Sequence, residues 1–427
     1  MTLEKENYIP RLVDEKVEKF LKVFGAVSIE GPKWCGKTWT GLRHAETVSY
    51  LTDNSTKELA QVDPKYIFTD KKPQLLDEWQ VVPQIWDAVR HACDESGRPG
   101  NFILTGSTSL EKSDAENEVY HSGTGRITTL RMQPMSLLES GDSTGEVSLK
   151  KMLDGDFVEK NTGMIELPDI ASIIVRGGWP SVIKMSAEDA SEVSKSYIDS
   201  VVSKDIHERK DRKRDSEKMR MLIKSLARNE SSVARNDTLV RDIESYEGEK
   251  ELIESRHTVT DYLGVLESLY LTANQPSFSL NYRSSERIGK SAKRHLVDPS
   301  LSCAVLGLSP EKLMQDYHTF GLMFESLVER DLRIYAEYLD GKLYHFRDNT
   351  SGDEVDAIVE FSDGRYGAIE IKLADNAISD AKKSLVEFRD KAEKKPDFMC
   401  IVVGHIAAAY RDPETGIYIV PFLSLGA

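Results

Sequence analysis

The eight residues GPKWCGKT at positions 31–38 constrain the fold of this chain more than any other feature of its sequence. They follow the apolar run AVSIE and precede the helical pattern KTWTGLRHAETV, which together predict a strand, a glycine-rich turn and a helix. The two glycines let backbone N–H groups turn inward around phosphate oxygens, and the helix N-terminus adds a favourable dipole. A chance match in a surface loop is the alternative, but the position between strand and helix favours a phosphate-binding loop.

This loop has the residue types that bind ATP together with Mg²⁺. Lys37 places an ammonium group beside the β- and γ-phosphate oxygens, and the Thr38 hydroxyl is a ligand for the metal ion. Cys35 stands before a helix N-terminus, where thiols are often reactive, so a redox gate on ATP binding is one interpretation and a simple spacer is the favoured one. The predicted nucleotide-binding residues are Gly31, Pro32, Lys33, Trp34, Cys35, Gly36, Lys37 and Thr38.

Two acids follow at the end of a second short strand, PQLLDEW. Asp77 is predicted to hold Mg²⁺ and Glu78 to polarise the water that attacks the γ-phosphate. A strand that ends in two acids is common by chance, and Pro73 shortens this one. The position of the pair downstream of a phosphate-binding loop favours the catalytic interpretation.

The strand FILTGST and the later GR pair supply two further candidates. A polar residue at the tip of a strand beside the phosphate loop can contact the γ-phosphate or the attacking water, and Ser107 is preferred over Thr105 for this role. Arg126 is predicted to stabilise transferred charge, either in the same subunit or from a neighbouring subunit of an oligomer. The alternatives are a loop hydroxyl with an ordinary partner and a surface arginine paired with a carboxylate.

Residues 166–310 have an almost wholly helical pattern, with helices predicted near 216–228, 236–244 and 256–268. LYLTANQP and KRHLVDPSL then read as two strands around a loop, which is the order of a winged helix; a plain helical bundle is the alternative. In a DNA reader Arg256, His257 and Thr260 would face a groove. The basic run ERKDRKR at 208–214 is a further nucleic-acid candidate, although a solvated helix face explains it equally simply.

Four charged residues near the C-terminus fall in an order suited to metal chemistry. Glu325 lies on a predicted helix and Asp356 on a strand, while Glu370 and Lys372 alternate on the next strand and share one face. The three acids are predicted to bind a divalent metal ion, with the Ile371 carbonyl as a further ligand, and Lys372 to position a water for phosphodiester cleavage. The resemblance of this series to the PD-(D/E)xK nucleases implies Mg²⁺ or Mn²⁺ as the ion. An exposed pair of charged strands is the alternative.

The composition excludes several classes of protein. A formal net charge of −15 argues against a protein that coats nucleic acid over its whole surface, although residues 201–300 hold 19 Lys and Arg against 17 Asp and Glu. Neither a signal peptide nor an apolar run long enough for a membrane span is found. The four cysteines have no framework spacing, which favours reduced thiols and a cytoplasmic location.

The chain resembles a group of prokaryotic AAA-type ATPases that carry a C-terminal domain of unknown function, family 4143. The resemblance rests on YIPR, GPKWCGKT, LLDEWQ, FILTGST, GR, RGGWP and the series FESLVER, EVD and EIK. It implies an ASCE-type ATPase core, a helical segment with a winged helix, and a domain similar to the PD-(D/E)xK nucleases. Trp34 and Cys35 depart from the smaller or more polar residues usual in the loop, which puts the turnover rate in doubt.

We therefore expect an α/β protein with three domains, at residues 1–165, 166–310 and 311–427. The first has a parallel sheet with helices on both faces. Two functions remain open: an ATPase whose nucleotide state controls a nuclease-like half acting on DNA or RNA, and a nucleotide-dependent switch for protein partners with a non-catalytic scaffold.

Overall fold

The computed structural model of the protein describes residues 7–107, 122–205, 216–247, 256–279, 291–348 and 352–427. They form two units, the first with residues 1–135 and 266–271 and the second with residues 136–265 and 272–427. Residues 136–165 belong to the second unit, and the three domains predicted from sequence stay a prediction.

Five parallel strands form the sheet of the first unit, in the order β2-β3-β4-β1-β5. The inner strands are buried on both faces, in keeping with their largely apolar centres. Because all five strands are parallel, their carboxyl ends lie at one edge of the sheet. The strands are β1 (Ala26–Glu30), β2 (Thr47–Tyr50), β3 (Gln74–Asp77), β4 (Phe102–Gly106) and β5 (Ile127–Arg131).

Four helices accompany this sheet, and an apolar core fills the space between strands and helices. The helix α4 buries Ile85, Val89 and Cys93 at intervals of four residues, which is the spacing predicted from sequence. The helices are α1 (Val13–Leu21), α2 (Lys37–His44), α3 (Asn54–Val62) and α4 (Ile85–Ser96). The predicted α/β class with a parallel sheet is confirmed.

The second unit begins with short elements and continues through a largely helical segment. The helices predicted near 216–228, 236–244 and 256–268 are present. The helices of this segment are α5 (Leu137–Ser140), α6 (Leu149–Asp154), α7 (Leu167–Arg176), α8 (Ala187–Ser200), α9 (Ser216–Arg228), α10 (Asn236–Glu247), α11 (Arg256–Ser268), α12 (Pro299–Leu306) and α13 (Pro310–Gln315).

Its C-terminal part packs two helices against a seven-stranded mixed sheet, in the order β7-β12-β13-β11-β10-β9-β8. The helices are α14 (Tyr317–Tyr338) and α15 (Ile378–Lys391). The strands are β7 (Lys160–Asn161), β8 (Lys342–Arg347), β9 (Glu354–Glu360), β10 (Tyr366–Ala374), β11 (Phe398–His405), β12 (Ala408–Arg411) and β13 (Tyr418–Pro421), while β6 (Val147–Ser148) and β14 (Leu425–Gly426) form a separate pair.

The two predicted strands around a loop appear as isolated antiparallel bridges, Thr272 with Leu296 and Gln275 with Lys293. These bridges bring Lys293 and His295 into the interior of the second unit, where both are buried. No helix in the described part of the chain is long and apolar enough to cross a membrane.

Candidate active site

The phosphate loop joins β1 to α2 at the carboxyl edge of the parallel sheet. Gly36 has a φ of 104°, which favours glycine, and it immediately precedes the first residue of α2. A Cβ at Gly31 would lie 2.2 Å from the Met132 carbonyl oxygen, so only glycine fits the close approach of these two backbones. The two glycines of the motif are therefore required by the local geometry itself.

The two residues that begin α2 carry the polar groups of the loop. Lys37 is buried, and its Nζ donates to the Pro32 carbonyl at 2.8 Å. Thr38 Oγ1 donates to Asp77 Oδ1 at 2.8 Å, although 39 residues separate them. The strand order brings this acid to the loop, because β3 and β1 both flank β4.

Asp77 is nearly enclosed by hydroxyl donors. Thr105 Oγ1 donates to the same Oδ1 at 2.7 Å and accepts from the Glu78 backbone N–H at 3.1 Å. Burial raises the pKa of Asp77, although the hydrogen bonds from Thr105 and Thr38 act in the opposite direction. A hydroxyl and a carboxylate oxygen held together are suitable donors for Mg²⁺, so the chemistry of Thr38 and Asp77 fits that ion.

Glu78 is held beside Asp77 in the left-handed region, with a φ of 55°. Its Oε2 accepts from Ser107 Oγ at 2.9 Å and from Gln80 Nε2, and Gln80 Nε2 also lies 3.2 Å from Ser107 Oγ. Ser107, which follows β4, thus contacts the Glu78 carboxylate, whereas Thr105 contacts Asp77 and the Glu78 N–H. Gln80 is a member of this cluster that the sequence analysis did not single out, although it belongs to the LLDEWQ motif.

The remaining loop residues differ in their exposure. Cys35 is fully buried, and its Sγ lies 3.8 Å from the Met132 carbonyl oxygen. An enclosed thiol of this kind packs the loop against the chain behind it, in keeping with the spacer interpretation. Trp34 has a φ of 67° and its side chain is half exposed. Pro32 is buried and Lys33 is partly exposed.

The segment before α1 contacts both the phosphate loop and α2. Arg11 is buried, and its guanidinium donates to the carbonyl oxygens of Cys35, Gln133 and Pro134 at 2.8, 2.9 and 3.2 Å. Tyr8 Oη lies 3.0 Å from Thr40 Oγ1 on α2. YIPR contributes both residues, but the sequence gives no sign that they would contact the phosphate loop.

Arg126 lies at the opposite edge of the sheet from the phosphate loop. It directly precedes β5, and the register pairs Ile127 with Ala26 at the start of β1. Its guanidinium Nε lies 2.7 Å from Asp94 Oδ1 at the surface. A role for Arg126 at the phosphates of the same subunit is therefore wrong, because the arginine stands before its strand. The structure contains the surface ion pair that the sequence left open.

The four charged residues of the C-terminal half do converge. Lys372 Nζ lies 2.6 Å from Glu370 Oε2 and 3.1 Å from Asp356 Oδ2, and that Oδ2 also accepts the Ile371 N–H at 2.8 Å. Burial acts to lower the pKa of Lys372, but Asp356 and Glu370 outweigh it and the pKa is raised. Lys372 is thus held as a cation between the two carboxylates.

Glu325 is engaged by a lysine that the sequence analysis did not consider. Lys293 Nζ lies 2.6 Å from Glu325 Oε1 and 3.0 Å from Glu329 Oε1. Within the described residues, no group of three His, Cys, Asp or Glu side chains is arranged to hold a metal ion. The predicted metal shell of Glu325, Asp356 and Glu370 therefore stays a prediction: ammonium groups lie against these acids, and the Ile371 N–H donates to Asp356.

The segments predicted to contact nucleic acid lie mostly outside the described residues. The basic run 208–214 lies outside the described residues, as does the loop 280–290. Of the three residues of α11 predicted to face a groove, Thr260 has a described side chain, and its Oγ1 accepts a hydrogen bond from Asn236 Nδ2 at 3.3 Å. The side chains of Arg256 and His257 also fall outside the described set.

Three family models match consecutive parts of the chain. Residues 24–140 match a model described as an AAA domain. Over these residues the chain is similar to AAA domains. Residues 167–312 match the domain of unknown function 8612, and residues 320–425 match the domain of unknown function 4143, which confirms that part of the resemblance.

Comparison with solved structures gives weaker similarities. A Walker-type ATPase of Pyrococcus abyssi is 12% identical with a TM-score of 0.44, and the match covers 71% of this chain and 97% of that one. The ORC2 protein of Aeropyrum pernix, in ADPNP and ADP complexes, is 14% identical with a TM-score of 0.34 over 74% and 98%. At such scores the similarities carry no argument about this chain. No curated protein matches it.

Proposed function

We propose that this protein binds ATP with Mg²⁺ and hydrolyses it at the carboxyl edge of the first unit's sheet. The observation that carries the proposal is the hydrogen bond from Thr38 to Asp77, with Glu78 held beside it by Ser107 and Gln80. A loop that turns its N–H groups inward, a lysine and two acids at one sheet edge are the parts that phosphoryl transfer needs.

Each side chain has a distinct role in this proposal. Lys37 leaves the Pro32 carbonyl and binds the β- and γ-phosphate oxygens. Thr38 and Asp77 would hold Mg²⁺, which would neutralise charge on the phosphates. Glu78 orients and polarises the water that attacks the γ-phosphorus, and ADP leaves as the bond to its bridging oxygen breaks.

The test separates binding from hydrolysis. Glu78→Gln keeps the shape of the side chain and removes its charge, so ATP binding should persist while phosphate release falls by about 100-fold or more. Glu95→Gln, on the exposed end of α4, is a matched control that should leave both unchanged. Undiminished phosphate release in Glu78→Gln would show that another group activates the water.

We further propose that the second unit is a binding module controlled by nucleotide state. Its acids are engaged by Lys293 and Lys372, which favours a scaffold for a partner over a metal-dependent nuclease. The net charge of −15 favours a protein partner over nucleic acid. A salt series of DNA and RNA binding, with and without ATP, separates the two partners, because phosphate contacts give a steep dependence on salt.

A further inference from the structure

The phosphate loop packs against the segment that follows β5. Gly31 approaches the Met132 carbonyl so closely that a Cβ would clash, and the Cys35 thiol lies against the same carbonyl. These contacts are apolar or weak, and neither joins the loop covalently or by charge to its support. A stronger connection comes from outside both segments.

Arg11 makes that connection. Its guanidinium bonds the Cys35 carbonyl inside the loop at 2.8 Å and the Gln133 carbonyl of the supporting segment at 2.9 Å. Hydrogen bonds from a charged donor are about twice as strong as neutral ones, and the planar guanidinium fixes their directions. The residue is only 7% exposed, so water competes little for these carbonyls.

The main chain that carries Arg11 is itself anchored to α2. Asp14 accepts from the Arg11 backbone N–H at 2.8 Å and from Tyr8 Oη at 2.7 Å, and its Oδ1 lies 3.0 Å from His44 Nε2 at the end of α2. Tyr8 also contacts Thr40 on the same helix. Asp14 and Tyr8 thus fix the main chain of Arg11 beside α2, and the guanidinium contacts the loop from this fixed point.

We propose that Arg11 is a positioning residue that holds the phosphate loop in its phosphate-binding conformation before nucleotide arrives. The proposal rests on the proposed function, since it assigns Arg11 to the same site. A loop that is already ordered loses less conformational entropy when it binds its ligand. Arg11 therefore raises the affinity of the loop for the phosphate chain without contacting the ligand. It predicts that Arg11 affects ATP binding more than the hydrolysis of ATP once bound.

The deciding experiment uses the full-length chain and begins without nucleotide. In Arg11→Met, hydrogen exchange of peptides covering residues 31–38 should rise about tenfold or more, while peptides covering β4 keep their wild-type rates. Arg11→Lys keeps the charge but not the several N–H donors of the guanidinium. Its exchange rates at residues 31–38 should lie between those of the wild type and those of Arg11→Met. Arg43→Ala replaces an exposed arginine of α2 and should change nothing.

Titration with ATP then tests whether Arg11 affects nucleotide binding. Arg11→Met should raise the Kd for ATP about tenfold or more and leave the rate of phosphate release at saturating ATP within about twofold. Unchanged exchange in residues 31–38, or a uniform rise across the whole first unit, would overturn the proposal; if Arg11→Met does not fold, the same criteria apply to Arg11→Lys. Failure of the wild-type chain to bind ATP would refute the proposed function, whereas the exchange measurement tests the role of Arg11 without ATP.

Discussion

Replacing Lys293 by methionine should destabilise the second unit strongly. Its ammonium is almost fully buried, lies 2.6 Å from Glu325 and 3.0 Å from Glu329, and donates to the Asp356 carbonyl at 3.2 Å. Burial acts to lower the pKa of Lys293, but Glu329, Glu325 and Asp356 raise it well above its ordinary value. The lysine is therefore charged at neutral pH, and its removal leaves the partly buried Glu325 without this cation, while Glu329 keeps His295 at 2.8 Å.

The expected loss follows from the desolvation of the carboxylates that remain. Breaking a buried ion pair by removing one partner costs about 3–5 kcal/mol. At an m-value of about 3 kcal/mol per molar urea, this cost lowers the unfolding midpoint by roughly 1–2 M. Burial raises the pKa of Glu325 to about 8, so the deficit should shrink as pH falls below about 8, because a protonated Glu325 no longer needs the ammonium.

Urea unfolding followed by circular dichroism, with hydrogen exchange of peptides from α14 as a local readout, measures the effect. Lys383→Met is the matched control, because Lys383 lies 3.9 Å from Glu387 on the exposed face of α15 and its loss should shift the midpoint little. A Lys293→Met midpoint equal to that of the wild type at pH 8 would refute the reasoning. It would mean that the carboxylates take up protons at little cost, and that the ammonium is not their principal partner.

Three further outcomes are expected. Lys37→Ala should remove most ATP binding, because the loop loses the ammonium group that we propose binds the β- and γ-phosphates; a fluorescent ATP analogue that binds the variant as tightly as the wild type would contradict this. Gln80→Leu removes one donor to Glu78 and should lower phosphate release about tenfold while the Kd for ATP stays near its wild-type value, which single-turnover kinetics can separate. Burial acts to lower the pKa of His295, but Glu329 and Glu230 raise it to about 9. This raised pKa stabilises the fold fully below about pH 6.5 and is lost as pH rises through about 9, so His295→Gln should flatten the fall in urea midpoint over that range.

Local signals in the sequence were sufficient for the first unit's site. Strand, glycine turn and helix are adjacent in the chain, and the acids of LLDEW end a strand whose direction is fixed by the parallel sheet. Asp77 and Ser107 therefore had to reach the same edge as Lys37. The same reasoning, applied to direction, would have placed Arg126 correctly, because a residue that precedes a parallel strand lies at the opposite edge from its end.

Partners contributed from distant segments were beyond the sequence. Arg11 contacts carbonyls 24, 122 and 123 residues away, and backbone acceptors leave no trace in residue identity. Lys293 reaches Glu325 only because the bridges of residues 272–296 turn it inward. The spacing of the acids in the sequence predicts that Asp356 and Glu370 lie close together, but Lys293, which contacts Glu325, stands in a stretch predicted merely as a strand.

The exposure of Trp34 has a practical consequence. This indole is half exposed on the wall of the loop, whereas Trp79 and Trp179 are buried. Its emission therefore reports on solvent at the loop that we propose binds phosphate. Nucleotide entry can be timed in unlabelled protein, and Trp34→Phe supplies the blank that assigns the signal.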